Sequence, residues 1–426
     1  MNYTLVIGNG FDLACQLPSR FADYLNFLHS DKNANLQQGI KDYYHFLKNG
    51  LGDNNEEVRK NAATLSDECK ELNTWDLIFL AMGTADEERI GGLRWMDVEQ
   101  AIHDVVFDKG IYNYFNPLTA SISVKQAIGF DYIGEKGRDI KFILGCALLG
   151  KECLAYGAKD SRYYNYLLSE LKGFERSFSC YLTSQLSADY FQKAYFLALH
   201  LLKVLKRGEK LFPEREQYSL MSYNYVNYSL IADNQAALDI FCNFETSNIH
   251  GSLGPDRSVL LGMTPTETEW KNLTDPNTGN LSSDGTHKYA FSKEYRRMDL
   301  LRTEGESIRF PDNPGNVLFY GSSLSRQDYH SIFRIFDHVI GSKEEVLQRT
   351  KTGRLVFAYS VHDETARDSI IQGQYLAVKR ALITWAVERR QNWRDILDDL
   401  IDSRMVSFIE IKREKSWPKG ILEPRQ

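Results

Sequence analysis

The sequence is short of the features that mark a compartment, a metal centre or a membrane. Its 6 cysteines in 426 residues (Cys15, Cys69, Cys146, Cys153, Cys180 and Cys242) are scattered, and no two stand as Cys-x-x-Cys. That spacing indicates neither a zinc ribbon nor a disulfide framework, and it fits reduced thiols. The N-terminus has no basic region leading into an apolar segment, so no secretion signal is expected. The most apolar helical stretch, Phe191 to Leu205, carries Lys193, His200 and Lys203 and is too short and too polar to span a bilayer. No long basic block occurs and the net charge is −6, so neither nucleic acid nor an anionic membrane surface is indicated as a partner. Walker A and His-Glu-x-x-His sequences are missing too, so P-loop and zincin chemistry have no support. A soluble, cytoplasmic chain with no metal is the expectation.

What is present is ample material for cores. Hydrophobic residues make up 43% of the chain and aromatic residues 12%, and the length predicts two or three compact units. From about residue 20 to 210 helical spacing dominates, as in Phe21–Leu28, Asp42–Leu47, Val98–Val106 and Ala188–Lys206. After Pro213 short apolar runs alternate with helices. Strand candidates are Ser219–Ser222, Ser247–Ile249, Val259–Leu261, Val317–Tyr320, Leu355–Ala358 and Met405–Ile411, with Ile240-Phe241 open to either state. Amphipathic helices are predicted over Arg326–Val339 and Glu364–Arg389. Strand, helix, strand at these spacings predicts an α/β fold with a doubly wound, mostly parallel sheet. The expected organisation is a discontinuous core of residues 1–30 and 213–426, with 31–212 as a helical insertion after the first βα unit. Thr264–His287, rich in Thr, Asn, Asp and Gly, reads as a lid.

The N-terminus carries the sharpest signal. Thr4-Leu5-Val6-Ile7 reads as a buried strand, Gly8-Asn9-Gly10 as a turn, and Phe11-Asp12-Leu13-Ala14 as the start of a helix ended by Pro18. Glycines there let backbone N–H groups approach an anion, and a helix dipole adds partial positive charge, so a nucleotide is the leading ligand class. The dehydrogenase fingerprint is not met: Leu13 stands at its third small position, and no acid-ended second strand follows.

Ligands of parallel sheets gather at the carboxyl ends of strands. Here those ends present Gly8, Asn9, Gly10, Phe11 and Asp12; Ser222, Tyr223, Asn224 and Tyr225; His250, Gly251 and Ser252; and Gly321, Ser322 and Ser323, with Asp328 following. The set is polar, with one imidazole, and suits ribose hydroxyls and phosphates better than a metal. A tight turn without ligand, a strand-closing asparagine and a histidine satisfied before a turn glycine are the structural alternatives. Gly321 to Ser325 approaches a nucleophile elbow, but Ser325 occupies the second glycine position. Glu410-Ile411-Lys412 has the acid-x-Lys spacing of a metal-dependent nuclease strand, and an alternating strand with one wet face explains it equally well.

The order of "LVIGNGFDLACQLPSRFADYL", "SYNY", "NIHG" and "FYGSSLSRQDYHSIFRIFD" resembles the AbiH family of bacteriophage abortive infection proteins. The family's usual His-Gly after Asp-Leu-Ala is Cys15-Gln16 here. More distantly the four motifs are similar to those of sirtuin-like, Rossmann-like NAD-binding domains. That resemblance implies catalytic roles for Asn224 and His250, and cofactor contacts from Gly8, Asn9, Gly10, Phe11, Asp12, Gly321, Ser322, Ser323 and Asp328. Asp12 stands where those enzymes carry a serine, and Tyr223 where they carry a threonine. The implied activity is an NAD glycohydrolase in an anti-phage effector, with NAD as substrate or ligand. Cleavage of the nicotinamide–ribose bond passes through an oxocarbenium-like state. The glycine turn would anchor the pyrophosphate, Asn224 would position ribose or water, and His250, with a reference pKa of about 6.5, would act as base. The reading from another class is a non-catalytic, nucleotide-gated sensor; a metal-dependent nuclease is more remote. A second copy or a partner protein is expected to use the helical insertion.

Overall fold

The computed structural model of the chain describes residues 2–29, 73–76, 79, 95–107, 161–209, 211–213, 216–228, 244–254, 259–275, 278–304, 310–311, 314–348, 353–361, 363–391, 393, 395–413, 417–419 and 421–422. Two compact units share them. The first holds Met1–Ser19, Leu182–Val259 and Glu304–Gln426, and the second holds Arg20–Tyr181 and Leu260–Thr303. The helix Ala188–Leu205 therefore belongs with the sheet, and residues 260–303 belong to the other unit.

The first unit is built on six strands, β1 (Asn2–Ile7), β2 (Gln217–Ser222), β3 (Phe244–Asn248), β4 (Asn316–Tyr320), β5 (Leu355–Tyr359) and β6 (Val406–Glu410). They lie in the order β3-β2-β1-β4-β5-β6, and every pairing is parallel. This is the doubly wound α/β fold that the alternation of strands and helices predicts. A parallel sheet is covered on both faces, so its central strands are apolar along their whole length. β4, as Asn-Val-Leu-Phe-Tyr, is buried at all five positions. Around β4 and β5 the packing is aromatic: Phe319 stacks on Phe357 at 5.1 Å and meets the edge of Phe336, which in turn meets Trp385. Phe336 comes from the amphipathic helix Tyr329–Val339. Trp385 belongs to the Val378, Ala381, Leu382, Trp385 and Ala386 stripe of the helix Arg367–Glu388.

Register sets where the site lies. Asn248, Ser222, Ile7 and Tyr320 are paired in one row across β3, β2, β1 and β4. The four strands therefore end level, and the residues that follow them, up to Asn224, His250, Gly8 and Gly321, emerge on one edge of the sheet. The strand order reverses between β1 and β4, the position where open α/β sheets place ligands.

Several sequence expectations need adjustment. Val259-Leu260-Leu261 is not a strand of the sheet: Val259 makes a lone antiparallel bridge to Gly251, and the Leu261 N–H is bonded to Glu175 Oε1. An apolar run marks burial, and burial alone does not distinguish a strand from a packed coil. Arg326–Val339 and Glu364–Arg389 each begin with a 3₁₀ turn, Arg326–Asp328 and Glu364–Ala366, before the α-helix starts. Thr264–His287 carries the helix Glu267–Leu273, with a complete capping box between Thr266 and Glu269, and the start of the helix Ser283–Tyr289, capped by Ser282. Asp42–Leu47 and Ile240-Phe241 lie outside the described residues.

The second unit is helical. The helix Ser161–Gln185 enters it with Tyr164, Leu167, Leu171, Phe174 and Phe178 buried at three- and four-residue spacing. Phe174 and Phe178 meet Phe21 and Tyr24, and Phe79 packs on Phe21 and Phe174. Two buried ion pairs join its elements, Lys293 with Glu99 at 2.7 Å and Arg296 with Glu175 at 2.5 Å. Removing one member of such a pair strands a buried charge, so Glu175→Ala is expected to cost roughly 3–5 kcal/mol. Denaturant unfolding of the variant checks this, and an unchanged midpoint would contradict it.

The turns after β1 and β4 touch backbone to backbone. Gly8 N–H donates to Tyr320 O at 3.0 Å, Gly10 N–H to Gly321 O at 2.9 Å, and Phe11 N–H to Gly8 O at 2.8 Å. A Cβ on Gly8 would lie 2.6 Å from Gly321 O, and one on Gly10 2.6 Å from Gly321 Cα. At Gly321, with φ +67°, a Cβ would lie 2.4 Å from Phe11 N. The glycines are thus required by the approach of two chain segments, and three N–H groups that a phosphate would need are bonded to carbonyls. Gly321→Ala is expected to lose roughly 1–3 kcal/mol from backbone conformation alone, with the clash adding to it. Thermal unfolding measures the loss, and an unperturbed melting temperature would refute the close approach.

Candidate functional site

Two polar clusters stand over the carboxyl edge of the sheet, both within the first unit. The first surrounds Asp12, in the short helix α1 (Asn9–Ala14) that follows the glycine turn. Tyr190 donates its hydroxyl to Asp12 Oδ1 at 2.6 Å and Tyr228 donates to the same oxygen at 2.8 Å, with the two hydroxyls 3.1 Å apart. Local structure places both. Ser187 caps the helix Ala188–Leu205 by accepting the Tyr190 N–H, which fixes Tyr190 in the first turn. Tyr228 packs its ring against the Phe11 edge. Asn224 Nδ2 donates to Gly8 O at 3.0 Å, and its carboxamide also stabilises the Asp12 carboxylate. Burial lifts the Asp12 pKa from 3.8 to about 6, against the opposing pull of the Tyr190, Tyr228 and Asn224 hydrogen bonds.

The second cluster surrounds His250. Its Nε2 lies 2.9 Å from Asp328 Oδ1, and Ser325 Oγ donates to Asp328 Oδ2 at 3.1 Å. Asp328 also closes the loop onto the next helix, since its carbonyl accepts from Ser331 Oγ, which shares a 2.7 Å hydrogen bond with Tyr223. The imidazole is flanked by Tyr223 and Tyr225, at 5.6 and 6.3 Å between centroids. Tyr223, Asn224 and Tyr225 thus face alternate clusters, the tyrosines to His250 and the asparagine to Asp12. Asn248 holds this loop by donating to Asn224 O and Val226 O.

His250 is 1% exposed and Asn224 3%, so both lie beneath the surface in this conformation. Asn9, Gly10, Gly321 and Ser322 are half-buried, and Ser323 is exposed. Ser323 is in neither cluster, and Phe11 contributes its ring to the packing around Tyr228 and Tyr320. Tyr190, Tyr228 and Ser325 are not among the site residues expected from sequence. Tyr190 sits in an apolar helical stripe, where its only signal is that a buried phenol needs a hydrogen-bond partner. Among the described residues no group of three or more His, Cys, Asp or Glu side chains is placed to hold a metal ion. Glu410 is paired with Arg367, with Lys412 4.0 Å away. Among the described residues, no helix is long and apolar enough to cross a membrane.

A parallel sheet in this order, with polar residues gathered where its order reverses, defines a doubly wound α/β protein, a class in which ligands bind at the carboxyl edge of the sheet. Within that class, the family described as Bacteriophage abortive infection AbiH matches residues 4–347, and the chain belongs to it. Membership points to a role in abortive infection of bacteriophage. No curated protein and no solved structure matches the chain.

The Asp12 cluster makes stability depend on pH. Folded Asp12 keeps its proton up to about pH 6, whereas an unfolded aspartate loses it near 3.8. Its contribution is therefore fully present below about pH 4 and is lost as pH rises through about 6, a loss of roughly 3 kcal/mol. Asp12→Asn is expected to flatten the fall in denaturation midpoint between pH 4 and 7. A slope identical in both proteins would place the titrating group elsewhere.

Proposed function

We propose that this AbiH protein is an anti-phage effector that binds NAD or a related nucleotide over the carboxyl edge of its sheet and hydrolyses the nicotinamide–ribose bond. The observation that carries the reading is the His250–Asp328 pair, brought together across 78 residues beside the Asn224 loop. Donation of an Nε2 proton to Asp328 would make Nδ1 the basic nitrogen of the imidazole. In the reaction, the bond between the ribose C1′ and the nicotinamide nitrogen breaks, and nicotinamide departs with the electron pair. Water adds its oxygen to C1′ and gives its proton to His250. Asn224 supplies a carboxamide to position ribose or water, and Asp328 stabilises the imidazolium.

Burial bears on how such a site works. Because His250 is 1% and Asn224 3% exposed, turnover in this reading would require water and ligand to gain access to side chains that are buried in this conformation. A closed resting state suits an effector that must stay silent until infection. The same burial, together with the bonded N–H groups of Gly8, Gly10 and Phe11, favours a second reading, a sensor that binds nucleotide without turnover.

Incubation with NAD, following nicotinamide release, separates the two. Wild type is expected to release nicotinamide, and Asn224→Ala and His250→Ala to lose roughly a hundred- to ten-thousand-fold in rate. Rates unchanged in both variants would overturn the site assignment. Binding by calorimetry without release would favour the sensor.

A further inference from the structure

One helix of the second unit is turned inside out. The helix Lys293–Glu304 buries charge: Lys293 pairs with Glu99 and Arg296 with Glu175, all four beneath the surface. Its apolar side chains point the other way. Tyr295, Met298 and Leu301 are 36%, 54% and 49% exposed. A surface helix ordinarily does the reverse, with its apolar stripe toward the core. At 3.6 residues per turn, Glu294, Tyr295, Met298, Leu301 and Arg302 fall within one arc of about 120°, with Met298 at its centre. The patch continues onto neighbouring elements, because the Tyr289 ring meets Tyr295 at 5.8 Å and the exposed Trp270 at 5.2 Å. A contiguous apolar patch with a polar rim marks an interaction surface, and Trp, Tyr and Met are enriched in interface cores.

The charges at the rim of the patch say what it fits. Glu294 stands four residues before Met298 and Arg302 four residues after it, and both are exposed. Tyr295 and Leu301 stand three before and three after. The face is therefore complementary to itself when turned end for end. We infer that two copies of this chain pair along the helix Lys293–Glu304, antiparallel about a two-fold axis at Met298. Met298 then meets the partner's Met298, Tyr295 packs on the partner's Leu301, and Glu294 faces the partner's Arg302. Arg302 bonds Asp299 of its own helix through one nitrogen, which leaves further guanidinium donors for the carboxylate across the axis. Isologous pairing of this kind closes at two copies. The helix lies beyond residues 31–212, the segment expected from sequence to carry such contacts, and the pairing is independent of what the sheet edge binds. One helix and its aromatic neighbours make a smaller contact than the roughly 800 Å² per partner of a standard interface, so a Kd in the micromolar range is expected.

Sedimentation velocity of the full chain over roughly 1–100 µM tests the pairing. Wild type is expected to pass from monomer to dimer across that range. Glu294→Arg and Arg302→Glu each set like charges together at both ends of the helix pair, and each is expected to weaken the dimer at least about tenfold. An equimolar mixture of the two variants should regain the dimer, because every arginine then faces a glutamate. The double variant Glu294→Arg/Arg302→Glu should regain it alone for the same reason. Recovery in the mixture excludes misfolding as the cause of the loss in each single variant. A wild type that stays monomeric throughout would overturn the inference and leave the face to a different partner. A dimer indifferent to both single substitutions would overturn it by placing the contact elsewhere. So would a mixture that stays monomeric while each variant keeps the wild-type melting temperature.

Discussion

The structure of the sheet-bearing unit depends on the bare approach of two turns. Gly8 and Gly10 after β1 meet Gly321 after β4 with backbone atoms where any side chain would have stood. Hydrogen bonds from Gly8 and Gly10 to Tyr320 O and Gly321 O then tie the strand ends at the reversal in sheet order. This clasp sets the height of Asp12 above the edge, because α1 starts directly from it. It also sets the height of Asp328, which lies one loop beyond Gly321.

Everything polar at that edge follows from the clasp and the shared register. β2 and β3 end level with β1 and β4, so Asn224 and His250 arrive beside Asp12 and Asp328 without a long loop to carry them. Asp12 is then held by the tyrosine hydroxyls, and Asp328 by Ser325 and His250. Hydrogen bonds of this kind keep carboxylates fixed inside a protein.

Much of the fold could be read from residues because strands buried on both faces are written as unbroken apolar runs, as in Leu5-Val6-Ile7 and Val317-Leu318-Phe319. β3 was harder to bound, since Phe244-Glu245-Thr246 begins it with mixed polarity at the end of the sheet. Val259-Leu260-Leu261 misled because coil and strand bury apolar side chains alike. The glycine positions were legible as places that tolerate no side chain, while the reason for them lay in a partner turn more than three hundred residues away. Pairing was the least legible. Nothing local ties His250 to Asp328, or Tyr190 to Asp12, since both contacts exist only once the crossovers have folded.

The sheet's outer strands carry a different consequence. Residues 4–347, which the AbiH family matches, contain most of β1, all of β2 to β4 and every residue of both polar clusters, whereas β5 and β6 come later in the chain. β5 takes up the free backbone groups along β4, and Phe357 covers Phe319. A chain of this family ending near residue 347 would carry the same polar clusters on a sheet whose β4 flank is an open template for another strand, and it would have to cap that flank by other means.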